Sequence, residues 1–332
     1  MIPSGSRMKG GQARAARSRR ARWPALRGQL LRKLVQISVL SLIAWTALGT
    51  TWRNYKVAHN SERIVALLES DATAWLYGRN QDLLALFGDP LPVSEGFLGL
   101  PWGMRIGGLG FTDPWSLVAV ISGGQLPPAG MWLGVLVPLG IALVAGRLFC
   151  AWLCPARLVF ELGGLVRQGL LRLGLPLGDV AIPPVGLWVG LGTALFAASA
   201  GAASFHFVLP YLGLGAAIFS LVLSGTLGAA GLAFAAMVAV DVLVAPGQIC
   251  RSLCPTGALL GLVGTWAPWR LRKAPDAEVG RACPATCNLC QRACPYGLFP
   301  GRDAHFPGCD GCGRCTAVCP DTRLRRSLEL RR

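Results

Sequence analysis

The hexapeptide Cys-Ala-Trp-Leu-Cys-Pro at residues 150–155 recurs as Cys-Arg-Ser-Leu-Cys-Pro at residues 250–255, one hundred residues further along the chain. The flanking sequence is repeated as well, because Asp-Pro-Trp at residues 113–115 is echoed by Leu-Pro-Tyr at residues 209–211. In both copies a short apolar segment begins at the first Pro, and a long apolar segment, the two cysteines and an amphipathic helix follow. This internal duplication organises the middle of the chain.

The composition of the 332-residue chain favours a lipid bilayer as its surroundings. The chain is 53% hydrophobic and only 14% charged, and its mean hydropathy is +0.49, which is unlike an ordinary soluble domain. The formal net charge is +16, but the basic residues flank long apolar runs and do not alternate with aromatic residues on a soluble domain. The charge therefore indicates membrane topology and contact with membrane lipid, and we expect no nucleic-acid partner.

Four apolar segments are long enough to cross about 30 Å of hydrocarbon at about 1.5 Å per residue. The predicted membrane-spanning helices are residues 34–52, Gly130–Phe149, Ile182–Ser204 and Thr226–Ala245. Two shorter stretches, Pro114–Ser122 and Phe207–Ser224, are predicted as re-entrant or interfacial half-helices. Because both repeat copies have the same orientation, we expect them to pack about an axis along the membrane normal, with the two thiol pairs close together.

The distribution of basic residues orients these helices. Ten Lys or Arg residues and no acid lie in residues 1–33, and thirteen basic residues follow Cys250, whereas the long loop after the first span has five. By the positive-inside rule, both termini and all twelve cysteines face the cytoplasm, and the chain is a multi-pass protein of a bacterial inner membrane. Residues 1–33 are expected to be a disordered basic arm that is retained and not cleaved as a signal peptide.

The predicted units follow one another along the chain. Residues 53–112 form a periplasmic loop that lies against the membrane or a partner, because an amphipathic pattern runs through Ile64, Leu67, Leu68, Trp75 and Leu76. Repeat 1 covers residues 113–181, the third span residues 182–204, and repeat 2 residues 205–270. Residues 271–332 form a cytoplasmic domain that contains the remaining eight cysteines.

The two Cys-x3-Cys-Pro pairs suit a metal or redox site. Cysteines four residues apart lie on the same face of a helix, so Cys150 and Cys154 can act together, as can Cys250 and Cys254. Four converging thiolates could bind an iron–sulfur cluster, a tetrahedral zinc ion or a soft copper ion, and the spacing does not choose among them. The alternative is that these cysteines are small buried residues that end a helix before a proline.

The cysteine spacing of the last domain is that of two 4Fe-4S cluster motifs. Residues 309–320 read Cys-x2-Cys-x2-Cys-x3-Cys-Pro, and residues 283–295 read Cys-x3-Cys-x2-Cys-x3-Cys-Pro with one extra residue after the first cysteine. In the paired arrangement one cluster is held by Cys309, Cys312, Cys315 and Cys294, and the other by Cys283, Cys287, Cys290 and Cys319. A zinc ribbon is the alternative, but zinc knuckles are usually separated by a longer span.

Two titratable residues near the apolar segments are candidates for proton transfer. Asp241 is the one acid inside a predicted span, where a carboxylate is costly unless it has a role. We predict either a proton relay from a quinol or a structural ion pair with Arg147. His206 lies beside an apolar segment, and a histidine at the periplasmic interface is its simpler interpretation. No catalytic residue is predicted, because the cofactors would carry the chemistry.

Together these motifs resemble the NapH and MauN group of membrane ferredoxins, within the wider polyferredoxins that include the C-terminal part of NosR. The resemblance covers residues 31–320. It rests on Leu-Arg-Lys-Leu-Val-Gln at residues 31–36, Thr-Asp-Pro at 112–114, Gly-Arg-Leu-Phe-Cys at 146–150, and the repeated and terminal cysteine motifs. The fold implied is an all-α membrane protein, with four transmembrane helices from an internal duplication and a C-terminal bacterial-ferredoxin-like domain with two clusters.

The resemblance also implies a function and an alternative. Such a subunit takes electrons from the quinol pool and passes them to a partner ferredoxin or c-type cytochrome. The pathway implied serves periplasmic nitrate reductase for NapH-like proteins and methylamine dehydrogenase for MauN-like proteins. The alternative is an accessory or maturation factor that reduces a metal or cofactor, as implied by related Cys-x3-Cys-Pro proteins of copper oxidase assembly.

Overall fold

The computed structural model describes residues 5–58, 71–90, 93, 105–106, 109–110, 112–273, 287–301, 308–319 and 324–328. Its longest element is helix α1, Gly5–Ala58. The basic arm that was predicted to be disordered is helical from Gly5, which corrects the prediction. Ala and Arg have high helix propensity, and they extend a helix that is already nucleated by its apolar part.

Helix α1 is the one described helix that is long and apolar enough to cross a membrane, over Ala25–Thr50. At the other three predicted spans the structure has helices α4 (Ala129–Ala145, 17 residues), α7 (Gly186–Ala200, 15 residues) and α9 (Gly228–Leu243, 16 residues). At about 1.5 Å per residue they are about 22 to 26 Å long, shorter than about 30 Å of hydrocarbon. Apolar helices therefore lie where spans were predicted, but they end earlier.

Helix α8, Pro210–Ser224, was predicted as a half-helix, yet it has 15 residues, as α7 does. Helix length therefore does not separate α8 from the predicted spans, whereas the other predicted half-helix, Pro114–Ser122, has only 9 residues. Helices α7 and α8 both end at a glycine with positive φ, Gly201 at 84° and Gly225 at 68°. Residues with a side chain rarely adopt this conformation. These glycines end the helices inside runs whose hydropathy continues.

The internal duplication is visible in the order of the elements. Repeat 1 contains α3 (Pro114–Ser122), α4, α5 (Leu148–Trp152) and α6 (Pro155–Arg172). Repeat 2 contains the corresponding α8, α9, a π-helical turn (Ile249–Leu253) and α10 (Pro255–Val263). The copies differ most in their last helix, which has 18 residues in repeat 1 and 9 in repeat 2.

The two repeats pack against each other and share one apolar core. Helix α6 packs on α9, α10 packs on α4, and α7 packs on both α3 and α10. Aromatic side chains fill the interior. The rings of Trp115 and Phe205 stack with centroids 6.3 Å apart, and Phe160 meets Phe234 edge to face at 6.0 Å. Such pairs add about 0.5–1.5 kcal/mol beyond the area that they bury.

Buried polar contacts join α1 to repeat 1. The Arg32 guanidinium is 1% exposed, and it donates to both carboxylate oxygens of Glu161 on α6, at 2.6 and 3.1 Å. Lys33 also pairs with this carboxylate. One turn further along, Gln36 Nε2 donates to the carbonyl of Ala151 at 2.8 Å. Residues 32–36 of α1 are therefore anchored in the buried part of the fold.

The described part of the predicted loop 53–112 contains helix α2, Asp71–Ala85, and two short antiparallel strands, β1, Arg105–Ile106, and β2, Leu109–Gly110. On α2, Trp75 and Leu76 are exposed, whereas Asn80 and Leu84 are buried. Two residues of the predicted amphipathic pattern thus face outward. The remaining residues of that pattern, Ile64, Leu67 and Leu68, lie outside the described residues.

The C-terminal tail is tied to the end of repeat 2 by a second antiparallel pair. Strand β3, Trp269–Lys273, pairs with β4, Leu324–Leu328, in the register Leu271 to Arg326. Between them lie two helices of five residues each, α11, Leu289–Ala293, and α12, Arg314–Val318. The two small sheets were not part of the predicted all-α fold. Strands of two and five residues leave too little pattern in a sequence to be predicted.

Candidate metal-binding sites

Five cysteines precede a proline, and the four of them that the structure describes have the same backbone conformation. For Cys154, Cys254, Cys294 and Cys319, φ lies between −79° and −65° and ψ between 115° and 121°. The proline ring disfavours the helical conformation at the preceding residue. The chain therefore turns at each of these cysteines. In the repeats, the proline begins the next helix, so Cys154 and Cys254 cap α6 and α10.

The two Cys-x3-Cys-Pro pairs converge, as the duplication predicts. Cys150, Cys154, Cys250 and Cys254 line one cavity of about 30 Å³, here called the core thiol cavity. Its wall also includes Arg157, Tyr211, Thr256 and Tyr296. Each repeat supplies two thiols, because the four cysteines occupy equivalent places at the junction of a short helix and the next one.

Burial makes these thiols weak acids. Burial raises the pKa of Cys250 to about 12. It also raises the pKa of Cys154, and the neighbouring thiols of Cys150 and Cys250 act in the same direction. Thiolates are the form that binds a metal. The negative charge of four adjacent thiolates would therefore have to be balanced by a bound cation and by the nearby arginines.

Two buried arginines suit a negatively charged occupant of the core thiol cavity. Arg147 and Arg157 are 5% and 3% exposed. Arg147 Nε makes no hydrogen bond, and Arg157 Nε and Nη2 make ion-pair contacts, with Glu161 and Asp310, but no hydrogen bonds of normal geometry. A metal ion or 4Fe-4S cluster with four thiolates carries net negative charge, which buried guanidinium groups compensate. As they stand, no three Cys, His, Asp or Glu side chains of the described residues form a group that could hold a metal ion.

The tail brings a second set of thiols together. Cys290 and Cys315 are buried with Leu271 and Leu324, and Cys309 packs against them. Burial raises the pKa of Cys315, and Cys309, Cys294 and Cys290 then raise it further. The structure therefore places Cys294, Cys309 and Cys315 close together, as in the predicted ligand set of one cluster. It also places Cys290, predicted as a ligand of the companion cluster, beside them.

The other tail cysteines that the structure describes are Cys287, Cys312 and Cys319. The N–H of Cys312 donates to Asp310 Oδ1 at 3.0 Å, and its carbonyl accepts from Gln29 of α1 at 2.7 Å. Cys287 and Cys319 are half-buried. Cys283, the first cysteine of the companion motif, lies outside the described residues. Seven of the eight predicted tail ligands can therefore be placed.

Backbone N–H groups donate to sulfur in both sets. The N–H of Gly257 lies 3.5 Å from Cys254 Sγ, and that of Gly311 lies 3.4 Å from Cys309 Sγ. Hydrogen bonds to the sulfur ligands are one means by which proteins tune iron–sulfur clusters. These contacts arise locally, because in each case the donor follows its cysteine by two or three residues.

Tyr296 lies between the two sets of thiols. It follows Cys294 of the tail by two residues, and it also lines the core thiol cavity. Its hydroxyl donates to Asp310 Oδ2 at 3.0 Å. The Arg157 guanidinium lies 4.7 Å from the centre of the Tyr296 ring, and Arg157 Nη2 lies 3.2 Å from Asp310 Oδ2. Residue spacing does not predict this contact, although both charged residues lie near predicted ligands.

The two proton-transfer candidates have local partners. Asp241 is 6% exposed, and its Oδ1 accepts from the N–H of Gly247 at 2.9 Å. Arg147, its predicted ion-pair partner, instead donates to the carbonyl of Cys250 at 2.6 Å. His206 is half-buried, and its Nδ1 lies 3.2 Å from the carbonyl of Ala203. The ion-pair interpretation of Asp241 is therefore replaced by a hydrogen bond within its own repeat.

A buried carboxylate that sequence reasoning did not single out links the repeats. Asp113 is 0% exposed. Its Oδ1 accepts from the N–H of Trp115 at 2.9 Å, which caps α3. Its Oδ2 accepts from Thr256 Oγ1, also at 2.9 Å. An Asp before Pro and an apolar run is a helix-start signal, but the contact to Thr256 of repeat 2 could not be inferred from spacing.

Both repeats match a known family. A family model described as a 4Fe-4S binding domain matches residues 126–174 and again residues 227–274. Each matched segment contains one Cys-x3-Cys-Pro pair and neither contains the predicted cluster motifs of the tail. The match supports iron–sulfur binding and draws attention to the core thiol cavity.

Several known proteins are similar to this chain. The methylamine utilization ferredoxin-type protein MauN of Paracoccus denitrificans is 29% identical over 223 residues, which is 66% of this chain and 64% of that protein. The ferredoxin-type protein NapH of Haemophilus influenzae is 26% identical over 233 residues, or 66% and 76% of the two chains. The putative electron transport protein YccM of Escherichia coli is 26% identical over 209 residues, or 59% and 56%. No solved structure matches.

The converging thiols thus belong to a chain whose repeats match a 4Fe-4S binding domain and whose relatives are ferredoxin-type proteins. Its homologues carry the names MauN and NapH, which confirms the resemblance predicted from the motifs. The chain spans 64% of the length of the Paracoccus MauN. These matches therefore do not assign the substrates and partners of this chain.

Proposed function

We propose that this chain is a membrane-bound electron carrier, which passes electrons from the quinol pool to a partner ferredoxin or c-type cytochrome serving a periplasmic reductase or dehydrogenase. The observation that carries the proposal is the convergence of buried thiols in a chain whose repeats match a 4Fe-4S binding family. When bound, such clusters accept and release single electrons. The protein contributes ligands, burial and charge.

The tail is proposed to hold two clusters. Cys309, Cys312 and Cys315 with Cys294 form one ligand set, which agrees with the proximity of Cys315 to Cys309 and Cys294. The companion set is Cys283, Cys287, Cys290 and Cys319. The contact between Cys290 and Cys315 is expected for two clusters that share one small core.

The core thiol cavity is proposed to hold a further metal or redox centre. Four thiols, two from each repeat, line it, and the positive charge of Arg157 stands at its wall. The 4Fe-4S binding family matches the segments that supply these thiols, so an iron–sulfur centre is favoured over zinc or copper.

A membrane location is supported by the outward side chains. Large apolar residues are exposed on the helices that were predicted to span the bilayer, including Leu136 and Leu143 on α4, Trp188 and Leu195 on α7, and Leu232 on α9. Lipid would cover such a surface. We propose four spans in a bacterial inner membrane, with both termini and the thiol sites on the cytoplasmic side.

Anaerobically purified protein tests this proposal. Two tail clusters predict roughly eight iron atoms per chain with an equal amount of acid-labile sulfide, at four of each per cluster, and a 4Fe-4S cluster in the core thiol cavity would raise both to roughly twelve. A reduced quinol analogue added to the oxidised protein should produce the EPR signals of reduced clusters. Zinc in place of iron, or the absence of sulfide, would overturn the proposal.

A second function is favoured by one observation, the buried four-thiol cavity, because soft thiolate sites also select copper. In this alternative the chain is an accessory factor that reduces a metal for the assembly of another enzyme. The same preparation distinguishes the two. Clusters that quinol does not reduce, together with copper bound in the core thiol cavity and reduced there, would favour the accessory role.

A further inference from the structure

Arg157 lies between the two sets of thiols. It lies in the first turn of α6, three residues after Cys154, and its side chain is 3% exposed. It forms part of the wall of the core thiol cavity. On its other side it contacts the tail, through the ring of Tyr296 and the carboxylate of Asp310, which follows Cys309 directly.

The carboxylates near Arg157 do not balance the combined positive charge of Arg157 and the basic side chains beside it. Glu161 lies 3.4 Å from Arg157 Nε, but it already binds Arg32 in a bidentate pair and also Lys33. Asp310 is the other carboxylate that pairs with Arg157, and the buried Asp241 also lies within the electrostatic reach of Arg157. Arg147, which lies near Asp310, adds a further cation. Three carboxylates therefore face four cations, of which Arg147 and Arg157 lie between the two sets of thiols.

A buried surplus of positive charge is unfavourable unless it faces negative charge. Both sets of thiols supply such charge when they ligate a metal, because ligating sulfur is thiolate. The electrostatic field of Arg157 reaches Cys250 of the core thiol cavity and both Cys294 and Cys312 of the tail. One guanidinium thus serves two sites.

We propose that Arg157 is a positioning residue that raises the reduction potential of the tail cluster held by Cys294, Cys309, Cys312 and Cys315, and that it does so from the wall of the core thiol cavity. Addition of an electron makes the cluster more negative, and a buried cation favours that form. Tyr296 and Asp310 hold the cation in place. This inference rests on the proposed function, because it requires a cluster in the tail.

The test is a redox titration of the complete purified protein, followed by the EPR signals of the tail clusters. Arg157→Gln should lower the equilibrium constant for one-electron reduction of one cluster at least about tenfold, which corresponds to about 59 mV for one electron. Arg157→Lys keeps the charge and should retain most of the potential. Arg167→Gln is the matched control on the same helix, because Arg167 donates to the carbonyls of Val242 and Gly178, and it should change neither cluster.

Asp310→Asn gives a change of opposite sign. It removes a negative charge beside the same cluster and should raise the reduction potential. If the contact served only the fold, the Arg157→Gln and Asp310→Asn variants would not shift the potential in opposite directions. Should Arg157→Gln fail to assemble its clusters, the Arg157→Lys and Asp310→Asn variants decide alone. An unchanged potential in cluster-loaded Arg157→Gln, or an equal shift in Arg167→Gln, would overturn the inference. A wild-type protein without clusters would instead overturn the proposed function.

Discussion

The core thiol cavity and the cysteine-rich tail both gather thiols, but they are built by different means. In the core, duplicated helices hold the cysteines, and each pair lies where a short helix meets a longer one that begins at Pro. In the tail, the supporting elements are two five-residue helices and one pair of strands. Helices that short are not stable by themselves. The core therefore positions its thiols through the backbone, and we expect the tail to depend on its proposed clusters and on its contact with the core.

The sharpest test of whether the core and the tail bind metal independently is to replace one cysteine in each region. Cys312→Ser should remove one tail cluster, and with it roughly half of the tail iron, because each cluster requires four ligands. Cys150→Ser should leave both tail clusters in place. Iron and sulfide analysis together with EPR measures both outcomes.

If Cys150→Ser also lost a tail cluster, the two regions would form one metal-dependent unit, and the comparison would have to be abandoned. Cys154→Ser serves as a second core variant, because Cys154 lines the same cavity.

Removal of iron should affect the two regions unequally. After chelation under reducing conditions, we expect the tail to become sensitive to protease, because metal binding supplies folding free energy to small domains. The helical core should remain resistant. Limited proteolysis with mass spectrometry would locate the cuts, and cuts within α4 or α9 at the same rate as in the tail would contradict the expectation.

The junction of α1 with repeat 1 should contribute more than an exposed ion pair. Arg32→Met leaves the buried Glu161 with fewer partners and should lower the free energy of unfolding by about 3 kcal/mol, since breaking a buried pair costs about 3–5 kcal/mol. Arg79→Met is the matched control, because Arg79 and Asp82 form an exposed pair at 3.3 Å, and such pairs contribute about 0–1 kcal/mol. Unfolding in detergent compares them, and equal losses would contradict the role of the buried pair.

Two glycines of α7 offer a smaller test of helix packing. A Cβ at Gly190 would lie 2.4 Å from the Trp115 ring, whereas a Cβ at Gly192 would have nothing within 4 Å. Gly190→Ala should destabilise the protein by about 1–3 kcal/mol through overpacking. Gly192→Ala should stabilise it by up to about 1 kcal/mol through helix propensity. Thermal unfolding in detergent reports both, and a neutral Gly190→Ala would show that α3 and α7 can move apart.

The smallest expected effect is a dependence of stability on pH. The neighbouring cations Arg32, Lys33 and Arg157 outweigh the effect of burial and lower the pKa of Glu161 from 4.5 to about 2. Because the unfolded state binds the proton more readily, this stability is complete above pH 4.5 and is lost as the pH falls toward 2. By about pH 3.5 the loss should be about 1 kcal/mol, and it should be absent from Glu161→Gln.

The cysteine patterns predicted much of the candidate sites. The convergence of Cys150, Cys154, Cys250 and Cys254 followed from a duplicated motif, and the proximity of Cys294, Cys309 and Cys315 followed from ligand spacing. Helix ends were less predictable, because Gly201 and Gly225 end helices within apolar runs. The helix over residues 5–33 was not predicted, because a segment with few apolar residues was expected to be disordered. This segment continues an apolar helix, however, and is helical with it.

The sequence alone determined which residues are ligand candidates, because cysteine spacing is set by the geometry of a metal centre. It also determined the duplication, because the two copies share the same cysteine and proline motif. The tertiary structure alone decided how the two sets of thiols are related. Tyr296 and Asp310 meet Arg157 across more than 130 residues of chain. Spacing along the chain carries no information about such a contact, because packing between helices and tail brings these side chains together.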